Sequence, residues 1–425
     1  MPVTCDFSIE NVHQLVTCEP DLAASDDDAA RLLGLIDQGC VAVTEGRVAW
    51  VGAQRDFVAS GLAARRRIDG SGLVVLPGLV DAHTHAVFVG SREREYEMRL
   101  KGKTYMEIAA SGGGIRSTVR AVREASEDDL VEAGLKHVRA MVAWGTTTVE
   151  VKSGYGLSLE AELKMLRAIK RLAAVAPAEI VPTFLGAHEV PDDYLDRRGD
   201  YVDLVVEEMI PAVAEGKLAE FCDVFCERGV FSPAESERIL LAAKAHGMRP
   251  KIHADEFVPS GGAEVAARVG AISAEHLVHA SPEGLRAMRA AGAVGVLLPG
   301  VALSLGNLTF APARDMLAMG LDVALATDFN PGSSMVHALP VVASLACSCM
   351  KMTPAEAILA ITRTAAKALD RERTIGSLAR GKQADLAVFD IPDFRHIPYH
   401  LAGAAPKMVI KSGRLVHVRD TKEDA

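Results

Sequence analysis

The chain has 425 residues, 49% of them hydrophobic and 24% charged, and a formal charge of -10. That length provides for one large domain or two to three smaller ones, and the composition is that of a folded globular protein, which excludes fibrous and disordered classes. An acidic balance with no domain-scale basic surface excludes a general nucleic-acid backbone binder, so an anionic ligand must be met by local cations.

The opening stretch "MPVTCDFSIE" lacks the charged start and apolar run of a secretory signal, which sets the expectation of a cytoplasmic protein without a membrane anchor. Residues 1–75 hold strand-like pieces such as "CVAVTEGRVAWVG", with Gly46 and Arg47 at a hairpin turn. From there to Phe329, short apolar runs alternate with longer helical patterns, the mark of repeated βα units around a parallel sheet. Eight runs are visible: "LPGLVDAH" (76–83), "TTTVEVKS" (146–153), "IVPTFLGAHE" (180–189), "CDVFCE" (222–227), "RPKIHADE" (249–256), "ISAEHLVH" (272–279), "AVGVLLPG" (293–300) and "LDVALATD" (321–328). Eight parallel strands with intervening helices predict a closed (β/α)8 barrel of the TIM type rather than an open doubly wound sheet.

The uncharged segment Ala290–Ala313 is long enough to suggest a membrane span, but Pro299, Asn307, Pro312 and four glycines read better as a strand followed by a glycine-rich loop. "TPAEAILAITRTAAKAL" predicts one closing helix with Thr353 as N-cap and Pro354 in its first turn. Beyond it, "QADLAVFD" and "KMVIKSGRLVHV" are strand-like again. The expected fold class is therefore α/β: a catalytic barrel over residues 76–369, with a small β-sandwich-like domain built from residues 1–75 and 370–425 at both chain ends. Cys5, Cys18, Cys40, Cys222, Cys226, Cys347 and Cys349 lack CxxC pairing and read as reduced thiols.

In such barrels the reacting groups project from the C-terminal ends of the strands. Strand one ends in His83 and His85, which two-residue spacing turns to one side. Strand five ends in His253 and Glu256, strand six carries His276, and strand eight ends in Asp328. Three histidines and a carboxylate suit a divalent first-row metal with one position left for water. A lone strand-end histidine is more often structural, and His137, His246, His279, His396, His400 and His417 are read that way; the joint pattern carries the site. Glu256, His276 and Asp328 are the candidates for moving protons. The fourth strand offers no lysine to bridge two metals, so one metal is expected, and Lys152 on strand two reads as an ion-pairing residue. These pieces describe hydrolysis of a C–N bond in an amide-like or amidine-like ring.

"PGLVDAHTH", "HADE", "SAEHLVH" and "LATDFNPGSS" together resemble the amidohydrolase superfamily in its single-metal form. More narrowly, "THAVFVGSREREYEMRLKGKTYMEI", "GGGI", "EVKSGYGL", "TFLGAHEVP" and "ATDFNPGSS" are similar to the imidazolonepropionases of histidine degradation, over about residues 75–350. The resemblance implies His83, His85, His253 and Asp328 as ligands of one zinc or iron ion. It implies Arg92, Tyr155, His188, Glu256, Asn330, Gly332 and Ser333 as substrate-binding positions, and His276 as the residue that helps activate water. It also implies a small-molecule substrate and leaves a homodimer open. A substrate with a free propionate arm gives Arg92 a purpose, since a guanidinium grips a carboxylate bidentately. The backbone amides of "FNPGSS" and the Ser333 hydroxyl suit the second carboxylate that ring opening creates, although Asn330, Pro331 and Gly332 would form a turn in any case. "SGGGIRS" lacks the Lys-Ser/Thr of a phosphate loop and reads as a lid or turn. The alternatives are a related enzyme deaminating a heterocycle, for which Arg92, Tyr155 and His188 have no evident use, and an inert barrel, which the intact ligand set opposes.

Overall fold

The computed structural model describes residues 4–22, 27–103, 107 and 112–419. The chain begins with β1 (Thr4–Val16), β2 (Leu35–Thr44), β3 (Arg47–Ala53), β4 (Ala63–Asp69) and β5 (Val74–Pro77). The next eight strands are β6 (Leu79–Asp81), β7 (Thr146–Lys152), β8 (Glu179–Ala187), β9 (Phe221–Cys226), β10 (Arg249–Ala254), β11 (Ser273–His276), β12 (Val294–Leu297) and β13 (Val323–Leu325). The last three are β14 (Leu386–Phe389), β15 (Met408–Lys411) and β16 (Arg414–Val418).

Strands β6 to β13 lie side by side in chain order, every pair parallel, and form the barrel. Its seam closes just beyond β6 and β13, where Thr84 bridges Phe329, Asp328 N donates to His83 O (3.0 Å) and His85 N donates to Phe329 O (2.9 Å). The seam thus joins the predicted ligands of strand one to the predicted ligand of strand eight. Every residue of β7, β11, β12 and β13 is buried, as parallel strands covered on both faces require. The surrounding helices start where the sequence provides caps: Ser126, Ser158, Ser232, Ser281 and Thr353 each accept a backbone N–H from the first turn.

The chain ends meet in a second sheet of mixed direction, ordered β16-β15-β14-β5-β1-β2-β3, with β4 on β1. The single strand expected over 76–83 is in fact two strands in two sheets. Pro77 closes β5 in the second sheet, Gly78 N donates to Asp385 O (2.8 Å), and the chain enters the barrel one residue later. Lys411 on β15 fastens the two sheets, its Nζ lying 2.8 Å from Asp385 and 3.1 Å from Glu179 at the start of β8.

Two further expectations change. The helix after Thr353 breaks into Pro354–Ala360 and Arg363–Ala368 at Thr362 (φ -130°, ψ -96°), whose hydroxyl donates to Ile358 O; the break frees the Ile361 carbonyl to accept Val80 N from β6 (2.9 Å). After β12 the uncharged segment forms a short helix, Pro299–Ser304, instead of continuing as a loop, because Pro299 sets the backbone of a first helical turn. Among the described residues no helix is long and apolar enough to cross a membrane.

Candidate metal centre and substrate cavity

At the C-terminal end of the barrel, His83 Nε2 and His85 Nε2 lie 3.3 and 3.4 Å from the same atom, Asp328 Oδ1. The His253 ring stands 4.5 Å from that of His83, and the His276 ring 5.3 Å from that of His253. One ligand atom each from His83, His85 and Asp328 fits within 4.8 Å, as does one each from His83, His253 and His276. His276 (φ 69°) and Asp328 (φ 47°) sit in the left-handed region, backbone strain of a kind that gathers at functional sites.

The electrostatics favour a cation. His83 Nδ1 and Nε2, His85 Nδ1, His253 Nε2 and Asp328 Oδ1 are buried without a hydrogen-bond partner, a costly state for polar atoms in a dry interior. Burial pushes His83 and His85 well below the ordinary histidine range, with neighbouring positive groups adding to the effect, and pushes His276 down to about 3. Neutral imidazoles present lone pairs, and the rings of His83, His85 and His253 with the Asp328 carboxylate form a donor set of a kind that fits one divalent first-row ion.

Glu256 enters from the loop after β10. Asp255 fixes that loop by accepting Gly261 N on Oδ1 and Ala263 N on Oδ2, both at 2.9 Å, and so capping the helix Gly262–Val269. Glu256 Oε2 lies 3.4 Å from His276 Nε2. Burial, then the charges of Asp328 and Glu227, raise the Glu256 carboxyl well above the ordinary range, next to the depressed imidazole of His276.

These groups open into a cavity of about 370 Å³ whose wall includes Arg92, Tyr155, His188, Glu256, Asn330, Gly332 and Ser333. Arg92 stands at the start of the helix Glu93–Leu100 and pairs with Glu95: Nε and Nη2 lie 2.9 and 2.8 Å from Glu95 Oε2. This ion pair faces the cavity. It occupies the side-on edge of the guanidinium and leaves the end-on edge, Nη1 and Nη2, toward Gly332. A Cβ at Gly332 would come within 2.4 Å of Arg92 Nη1, so any larger residue there would make the guanidinium move. Arg99 Nη1 donates to Gly332 O (3.1 Å) and brings a second guanidinium to this wall.

His188 stacks on His85 with ring centres 5.0 Å apart, and its Nδ1 lies 2.9 Å from Gly154 O, which fixes the tautomer. Gly154 (φ 107°) permits this approach, since a Cβ there would lie 2.9 Å from His188 Nδ1. Tyr155 is buried next to both rings. The expectation that the loop after Asp328 presents free amides needs correction. Gly332 N and Ser333 N both donate to Asn330 Oδ1 at 2.8 Å, because the side chain of Asn330 closes its own turn. Of "SGGGIRS", Ser111 falls outside the described residues, whereas Gly114 lines the cavity and starts the helix Ile115–Glu124. His137 is placed away from the cluster, its Nδ1 bonded to Ala86 O and its ring stacked on Phe88.

Four residues under the cluster, Glu150, Asp223, Lys251 and Glu275, escape a reading based on strand ends. With Lys152 they are completely buried inside the barrel. Lys152 Nζ lies 2.7 Å from Asp223 Oδ2 and 3.0 Å from Glu150 Oε2; Lys251 Nζ lies 3.1 Å from the same Glu150 oxygen and 3.5 Å from Glu275 Oε1. Lys152 is thus the ion-pairing residue expected of it. For Glu150 the available signal was its place two residues before Lys152 in a run otherwise buried on both faces, where charges must be paired.

The sequence profile of the amidohydrolase family matches residues 74–416. An imidazolonepropionase of Geobacillus thermodenitrificans (strain NG80-2) is 50% identical over 412 residues, 96% of this chain and 97% of that protein. One of Geobacillus kaustophilus (strain HTA426) is 52% identical over 393 residues, 92% of each. Among solved structures, a 5-methylcytosine deaminase from Klebsiella pneumoniae liganded with 5-fluorocytosine superposes with a TM-score of 0.75 at 16% identity, covering 98% of this chain and 99% of that one. An adenosine deaminase from Xanthomonas campestris with bound zinc superposes with a TM-score of 0.70 at 18% identity, covering 99% and 95%. At such identities the structures share the fold alone.

Proposed function

The chain belongs to the amidohydrolase family and, within it, to the imidazolonepropionases, and on that premise we propose how its residues divide the work. The reaction is hydrolysis of the ring C–N bond of 4-imidazolone-5-propanoate to N-formimidoyl-L-glutamate in histidine degradation. His83, His85, His253 and Asp328 hold one metal ion, zinc or iron. When bound, that ion supplies Lewis acidity, bringing the pKa of water down toward ~7.

Arg92 receives the propionate on its end-on guanidinium edge, while Glu95 holds the other edge still. Tyr155 and His188 border the arm, and Asn330, Gly332 and Ser333 bound the far wall. Asp328 and neutral His276 orient the attacking water and accept its proton, His276 at Nε2. Oxygen then adds to the ring carbonyl carbon, the C–N bond breaks, and the electron pair stays on nitrogen. Glu256, whose protonated form burial favours, hydrogen-bonds that nitrogen and delivers the proton it needs. The new carboxylate forms beside Asp328, with the Ser333 hydroxyl on the neighbouring wall of the cavity.

The observation that carries this reading is the Arg92 guanidinium, held through Nε and Nη2 by Glu95, in the same cavity as the imidazole–carboxylate cluster. A neutral heterocycle would give that guanidinium no carboxylate to meet. The test is turnover of freshly generated imidazolone propionate by metal-quantified protein, with the product identified by mass and a nucleobase panel in parallel. N-formimidoyl-glutamate is the expected product. Ammonia released from a nucleobase, with imidazolone propionate untouched, would move the activity to deamination.

A further inference from the structure

Among the described residues, Nδ1 of His83, His85 and His253 makes no well-aligned hydrogen bond. Of the three, His253 is the one with a carboxylate oxygen at hydrogen-bonding distance of that nitrogen. Nδ1 of His253 faces Asp223 Oδ2 at 2.9 Å from the adjacent strand β9. Asp223 is itself immobilised: Oδ1 accepts the amides of Val224 (2.7 Å) and His253 (3.2 Å), and Oδ2 lies 2.7 Å from Lys152 Nζ. Lys152 is held in turn by Glu150, and Glu150 by Thr183 and Lys251.

We propose that Asp223 is a positioning residue for the metal, acting through His253. By accepting the Nδ1 hydrogen it fixes the tautomer that leaves the lone pair on Nε2, and it fixes the rotation of the ring. A carboxylate in this place also makes the imidazole a stronger donor, and loss of such a partner typically weakens metal binding by about 10–100-fold. Lys152 serves the same end one step back, keeping Asp223 from turning toward another donor. This inference rests on His253 being a ligand. The competing account gives Asp223 a local duty only, neutralising the buried Lys152 ammonium.

The two accounts separate in zinc affinity, measured on chelator-stripped protein by competition with a chromophoric chelator, alongside thermal unfolding of the same apo samples. Positioning predicts that D223N loses about 10–100-fold in zinc affinity, with H253A losing at least as much, and that the loss is out of proportion to any change in apo stability. Zinc binding by D223N equal to wild type, while H253A binds poorly, would overturn the inference and leave the ligand assignment standing. Normal binding by H253A would overturn both. Should D223N fail to fold because Lys152 is left unpaired, the double variant K152M/D223N removes both buried charges together. The same affinity loss in that variant supports positioning, and wild-type affinity in it overturns the proposal.

Discussion

Arg92, Glu95 and Gly332 form a small device whose parts depend on one another. Truncating one partner of a buried charge pair costs on the order of 2–5 kcal/mol, so Arg92→Ala is expected to raise KM for imidazolone propionate by about a hundredfold, with a smaller change in kcat. Gly332→Ala should act on the same parameter without touching a charge, because the new Cβ meets Arg92 Nη1 at 2.4 Å and turns it off the cavity. Steady-state kinetics of both variants with metal content matched checks this; an unchanged KM in Gly332→Ala would mean that Nη1 does not meet the substrate. Glu256→Gln keeps the shape and removes the proton, so kcat should fall by about 10²–10⁴ with zinc retained, and near-normal turnover would contradict its role. The strand-end histidines were legible because ligand-type residues fell at several predicted strand ends at once. Asp223, Lys251 and Glu275 were not, since one charge inside an apolar run carries no local pattern and acquires meaning only when three-dimensional neighbours pair with it.

Elements were easier to read than their boundaries. Each of the eight barrel strands falls on one of the runs that alternation with helices marked out, β8 and β9 beginning one residue before theirs, because a strand buried on both faces must be almost wholly apolar. What the sequence concealed were interruptions decided by distant partners: the division of β5 from β6 at Gly78, where Asp385 intervenes, and the break at Thr362, where β6 takes the Ile361 carbonyl. The capping box of Thr353 and Glu356 starts the helix that delivers that carbonyl. Thr353→Ala should therefore lower stability by about 1 kcal/mol, read as a shift in urea midpoint, while kcat/KM stays unchanged because the barrel mouth lies at the opposite end of β6.

At the scale of the molecule, one carboxylate ties three segments together. Glu19, just past β1, accepts the Ser377 hydroxyl (2.6 Å) and lies 3.3 Å from Lys382 and 3.8 Å from Arg363 on the helix Arg363–Ala368. Partial burial alone would raise its carboxyl, but Ser377, Lys382 and Arg363 outweigh it and hold it below the ordinary range. A folded pKa lower than the unfolded one gives stability that is complete above the unfolded value, near ~4.5, and is lost as pH falls through the folded value. Glu19→Gln should therefore be less stable than wild type at pH 7, and the gap between their denaturant midpoints should narrow below about pH 4.5. A gap that stays constant with pH would assign the loss to packing.

The second sheet also dictates when the protein can become itself during synthesis. β5 lies between β1 and β14, and its partner Leu386 is separated from Pro77 by about three hundred positions, a pairing of high contact order that cannot form early. While the ribosome translates the barrel, β5 carries an unpaired apolar edge, the kind of surface that invites wrong partners. A nascent chain released before β14 leaves that edge bare, so premature termination anywhere in the barrel should yield aggregates rather than a truncated enzyme.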